Sequence, residues 1–198
     1  MAMLVSLPGC NSCSRQKNED PEVKGIVVEN TISTDREDVF LNYGKVYEWF
    51  ETSVTLKSFL DEENDGSVEQ VLNVFQVVKK DESDKAVDTD VVIFTHSEAL
   101  DTVDVVKHTL WFEDFRLNEE EINLTFAEAF ERFNEANCPK PHSKYVVLRK
   151  PVGPVVTNAL YIFGNTVDHV FVDAKTGDVL TEDPGYKWIE DSPAEHAE

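Results

Sequence analysis

The segment LTFAEAFERFNEANCP, residues 124–139, narrows what this chain can fold into more than any other stretch. Thr125-x-x-Glu128 is a capping box: the Thr hydroxyl can serve the amide of Glu128 while the Glu side chain reaches back to the amide of Thr125. Phe126, Phe130 and Phe133 then fall at i, i+4 and i+7, on one helical face, and Pro139 closes the far end. Three phenyl rings on one side of a helix must be buried against another layer. The residues that follow supply it, because SKYVVLRK, NALYIFGN and DHVFVDAKTGDVL each read as strands joined by turn residues. The pattern predicts an antiparallel sheet with this helix on one face.

Upstream, a second helix-plus-strands pattern can be traced. GIVVEN (25–30) is the first ordered segment. Thr34-x-x-Glu37 in TISTDREDVFLNYG forms another capping box with Gly44 as a stop, which predicts a short helix over 34–43. KVYEWFETSVTLKSFL is rich in aromatic and β-branched residues and reads as a strand. In SVEQVLNVFQVVKK apolar residues occupy both parities, which predicts a strand covered on both faces or a long twisted one. DESDKAVDTD reads as a loop, VVIFTH as a short buried strand, and VDVVKHTLWFEDFRL as one long strand. The fold class is therefore α+β, an antiparallel sheet with one or two helices on one face. The shared T-x-x-E openings raise a duplicated helix-plus-strands unit.

Charge restricts the partners. Eighteen Lys+Arg against 39 Asp+Glu leave the 198-residue chain at −21. Such a polyanion repels phosphate backbones and anionic lipid surfaces, so nucleic acid is not an expected partner and membrane contact would need a covalent anchor. No apolar run reaches the length of a spanning helix. The five histidines show no metal-ligand spacing. No Gly-x-Ser-x-Gly elbow, P-loop or Gly-rich dinucleotide turn occurs, so neither a cofactor nor an enzymatic activity is expected. DEENDGSVEQVL partly imitates a calcium loop, which makes Asp61, Glu63 and Asp65 candidate ligands. The bidentate Glu that such a loop needs is replaced by Leu72, and an acidic hairpin turn is the competing reading. NLT (123–125) reads as a glycosylation sequon, but helix capping explains Thr125 better. Tyr47, Trp49 and Trp111 are candidates for a recognition surface, since Tyr and Trp dominate interface hot spots; core burial is the competing reading.

The three cysteines, Cys10, Cys13 and Cys138, do not make a disulfide framework. CNSC has redox spacing but lacks the strand before it and the helix after it. It supplies only two of the four ligands of a structural zinc site. LVSLPGC instead places a short apolar run and a small residue immediately before Cys10. It resembles the lipobox of bacterial lipoproteins, with Leu7 and Gly9 in the matching positions. That resemblance implies cleavage before Cys10 and its lipidation, followed by a polar tether.

The stretch 122–181 resembles the PepSY-type repeat. Its most specific piece is the ending from Val170 to Val179, where Asp173–Gly177 forms a turn and Val172 and Val179 are set to pair across it. With the lipobox-like start, the chain is similar to the PepSY-like, β-lactamase-inhibitor-protein-like lipoproteins of diderm bacteria. The resemblance implies a division into residues 1–10 (remnant signal), 11–24 (flexible tether), 25–117 (β-rich half), 118–188 (PepSY-like half) and 189–198 (frayed tail, after an anchor at Trp188). It implies a secreted, non-enzymatic binding module, lipid-anchored to the outer membrane on its periplasmic face or at the cell surface. That module would inhibit or regulate an extracellular or envelope enzyme such as a peptidase. The alternative is a surface protein that holds a glycan or Ca²⁺ through sheet aromatics and acidic loops.

Overall fold

The structure, a computed structural model, describes residues 25–43, 47–80, 86–107, 109, 111, 115–151 and 158–181. Cys10, the remnant signal, the tether, Gly44, His108, Phe112 and the tail with Trp188 lie outside the described residues. In chain order come α1 (Val28–Asn42), β1 (Tyr47–Leu56), β2 (Val68–Lys80), β3 (Ala86–Ser97) and β4 (Thr102–Lys107). A 3-10 turn (Glu119–Glu121) leads to α2 (Phe126–Glu135), β5 (Tyr145–Arg149), β6 (Leu160–Gly164), β7 (His169–Asp173) and β8 (Val179–Leu180). The described strands form one antiparallel sheet in the order β4-β3-β2-β1-β5-β6-β7-β8. Each helix thus precedes four strands that run outward from the middle, and β1 meets β5 at the seam, where Val54 pairs with Val146.

Alternation along the strands decides which side the helices cover. Val54, Leu56, Val71, Phe75, Val146, Leu148, Phe163 and Val172 point to one side and join a single apolar cluster with residues of both helices. The two helix starts meet there as well: Glu29 Oε1 accepts the amide of Phe126 at 2.5 Å, placing a carboxylate at the N-terminus of α2. α2 matches its sequence signature. The Thr125 hydroxyl accepts the Glu128 amide, the Thr125 amide donates to Glu128 at 2.8 Å, and Phe133 stacks on Phe163 with centroids 4.4 Å apart. The β7–β8 turn also matches: Gly177 adopts φ +79°, and Val172 pairs with Val179.

Three expectations are corrected. The first helix begins at Val28, six residues before the expected start, and takes in part of GIVVEN. Its buried positions are Val28, Ile32, Asp35 and Val39, a helical stripe with an acidic residue in the middle. Thr34 is exposed within the helix and caps nothing; the N-cap, Val27, has no side-chain cap. Ala86–Asp90, expected as loop, belong to β3, because Val77 pairs with Asp90 and Lys79 with Asp88 in a long hairpin. The long strand expected over 103–117 ends at Lys107. Beyond it the chain leaves the sheet edge, and Phe115 bridges to Lys150 at the far end of β5. β2 is covered on both faces, as its two-parity pattern predicts. Val71 and Phe75 pack toward the helices, while Val74, of opposite parity, is also fully buried.

Candidate functional site

The sheet face opposite the helices is treated differently in the two halves. Over the first half, Trp111 bonds two of the strands from this face. The Trp111 amide donates to Gln76 Oε1 at 2.8 Å, and its indole N–H donates to Glu51 Oε2 at 3.0 Å. Ser53 Oγ donates to the other Glu51 oxygen at 2.6 Å. Glu51 and Gln76 are thereby both buried and hydrogen-bonded, which is the condition for keeping polar groups out of water. The Leu117 amide then donates to Trp49 O at 2.7 Å and returns the chain to the helix side.

Over the second half, the open face holds a groove of about 410 Å³. Val147, Ile162 and Phe171 occupy consecutive strands in register and form an apolar floor, half-buried at Val147 and Ile162 and buried at Phe171. Arg149 stands at one end, directly across the seam from Glu51, and His169 at the other. The His169 ring packs edge-on against Phe171 with centroids 4.8 Å apart. Its Nδ1 lies 3.0 Å from the Asn165 carbonyl and donates to it, since a carbonyl oxygen only accepts. The β6–β7 turn forms the rim. Asn165 Oδ1 accepts the amides of Val167 and Asp168, and Gly164 adopts φ +126°, where an added Cβ would lie 2.2 Å from Asp168 O. That turn lifts Val167 into solvent, 89% exposed. An apolar floor with a few polar groups at its ends is the usual composition of a recognition groove.

The expected recognition residues divide between structure and surface. Trp49 is a core residue, 6% exposed; its indole N–H donates to Glu51 O and Thr52 Oγ1, and the residue also lines the helix-side cleft that holds Tyr47. Trp111 is half-buried, with its N–H committed to Glu51. Tyr47 is half-buried, packs edge-on to Tyr43 at 6.0 Å, and lines a cleft of about 460 Å³ on the helix side together with Arg36 and Arg116. Groove residues such as Val147, Ile162 and His169 carry no aromatic-cluster signature, and only the sheet register that sets them side by side singles them out.

The acidic loop is a turn. Asn64 Oδ1 accepts the Gly66 amide, and Asp65 Oδ1 accepts the Ser67 amide; the Ser67 side chain first, and this amide second, hold the Asp65 carboxyl below its ordinary pKa. Asp61 faces His142 Nδ1 at 2.9 Å, and that ring stacks on Phe59. Asp61, Glu63 and Asp65 do not converge, and among the described residues no three His, Cys, Asp or Glu side chains are grouped to hold a metal ion. Cys138 is a free, half-buried thiol just past α2.

A buried polar chain under α1 has no counterpart in the sequence reading. His96 Nε2 lies 2.9 Å from Asp35, and its Nδ1 lies 3.2 Å from Asp101. Asn73 Nδ2 donates to Asp35 at 2.7 Å and to Thr31, while Thr52 donates to Asn73 Oδ1 at 2.6 Å. Burial raises the Asp35 pKa above the ordinary carboxylate value, against the lowering effect of the Asn73 and His96 hydrogen bonds. The bonds of this polar chain run between α1 (Thr31, Asp35) and the sheet (Thr52, Asn73, His96), so it ties α1 to the strands beneath it.

No protein-family model, curated protein or solved structure matches the chain. Among the described residues, no helix is long and apolar enough to cross a membrane.

Proposed function

We propose that this chain is a secreted, lipid-anchored and non-enzymatic binding module of the PepSY-like, β-lactamase-inhibitor-protein-like kind, built from two helix-plus-four-strand units. It holds a protein partner in the open-face groove of its second half. The observation that carries this reading is the contrast within one sheet face: the chain covers its own first half through Trp111 and leaves an apolar groove over the second. The likeness of the 122–181 ending to PepSY repeats and the lipobox-like LVSLPGC before Cys10 support the same reading. The target class is an extracellular or envelope enzyme such as a peptidase, restrained by occupation of its surface.

The test has two arms. Full-length protein expressed in a diderm host should incorporate a fatty-acid label, and Cys10→Ala should abolish both the label and membrane association. A partner captured from envelope extracts should bind at least about tenfold more weakly to Ile162→Arg, because a buried unpaired charge in the groove floor costs more than about 1.4 kcal/mol. A partner indifferent to Ile162→Arg and Val167→Asp would show that the groove is not the docking site.

A further inference from the structure

We propose that β4 is a docking edge for a second copy of this chain, with the two β4 strands joined antiparallel into one continuous sheet. Among the described residues the strand pairs with β3 on one side only, from Asp90↔Lys107 to Thr95↔Thr102, and all six of its side chains are exposed. Val103 and Val105 face the helix side and Val106 the opposite side, at 48%, 43% and 41% exposure. An edge of this length, without proline or bulge and apolar on both faces, is a template for strand addition. The other edge of the sheet, β8, has two residues and offers no such template.

Charge identifies the occupant. The chain carries −21 in all, yet Thr102–Lys107 contains one Asp and one Lys and is locally neutral. In an antiparallel self-pairing of this strand no like charges stand directly opposite each other. In an antiparallel pairing centred on Val105, that residue meets Val105 of the second copy, and Asp104 meets Val106 of the second copy. Lys107 then lies diagonal to Asp101 of the second copy, within the roughly 7–8 Å over which such pairs interact, and the two-fold axis repeats this contact. The edge is thus complementary to itself in both shape and sign. The groove over β5–β7 stays free in both copies, so the dimer does not depend on the function proposed above.

The experiment is sedimentation velocity on the full chain in reducing buffer across a salt series. Contact at a neutral edge between two −21 bodies strengthens as salt screens the rest of the surface, so the dissociation constant should fall between about 0.1 M and about 1 M NaCl. Val105→Lys, which sets two ammonium groups opposite each other, should weaken the dimer at least about tenfold, while Ile162→Arg leaves it unchanged. Amide exchange at residues 102–107 of the wild-type chain should slow with rising protein concentration, a readout that stands even if the Lys variant fails to fold. A monomer at every salt, a dimer unmoved by Val105→Lys, or concentration-independent exchange at 102–107 would each overturn the proposal. Slowing at 102–107 only when envelope extract is added would also overturn it, and would assign the edge to another protein.

Discussion

The two halves of this molecule use the same element order and hold their helices by opposite means. α2 is fastened by aromatic packing: Phe126, Phe130 and Phe133 lie against Tyr161 and Phe163, with the Lys140 ammonium over the outer side of the Phe133 ring at 3.7 Å. α1 packs Val28, Ile32 and Val39 but sets Asp35 among them, bonded to Asn73 and His96. Aromatic packing is forgiving in direction and costly to hollow out. A buried hydrogen-bond chain is directional, and it fails when one member is lost because the others are stranded without water. The first half thus gains a defined seating for its helix at the expense of a buried carboxylate.

The comparison is sharpest where one side chain is removed from each half. Phe133→Ala deletes a fully buried ring stacked on Phe163 and should cost about 3–5 kcal/mol in urea-induced unfolding. Asn73→Ala leaves the buried Thr52 hydroxyl without its acceptor and Asp35 with His96 but without the Asn73 donor, and should cost about 1–3 kcal/mol, with faster amide exchange in α1 than in α2. If α2 loosened first in that variant, the polar chain would not be what seats α1. Thr125→Ala removes one half of the capping box at the solvent-exposed start of α2 and should cost about 1 kcal/mol by the same measurement.

The smallest effect is read as a pH dependence. Asp35 has a folded-state pKa raised above its ordinary 3.8, so the native state binds its proton more tightly than the unfolded chain does. The associated stability is full below pH 3.8 and is lost as pH rises through the higher folded-state value. The stability of wild type relative to Asp35→Asn should therefore decline as pH climbs upward from 3.8. A flat difference would show that Asp35 titrates as an exposed carboxylate does.

The same contrast explains how far the sequence could be read. In α2, the cap, the phenylalanine spacing and the aromatic partners downstream all point to a helix on a sheet, and the Asp173–Gly177 turn needs only its own residues and one glycine at φ +79°. In α1, Asp35 interrupts the apolar stripe. A reader of periodicity sees a polar residue, shortens the helix and picks Thr34 as the cap, whereas Asn73 and His96, 38 and 61 residues away, make that position a buried one. The strand beginning at Ala86 was hidden in the same way, because its partner across the hairpin, rather than its own polar composition, holds it extended.

Local signals alone determined the α+β class, the aromatic helix, the β7–β8 turn and the two-sided burial of β2, since each depends on spacing within a few residues. Only the tertiary structure decided that β1 and β5 join the halves, that Trp49 lies inside and Trp111 bonds Glu51, and that the open face is covered over one half and grooved over the other. Those outcomes depend on which distant side chains arrive at the same place. Burial and hydrogen bonding act through space, and spacing along a chain records them only when the partners are close in sequence.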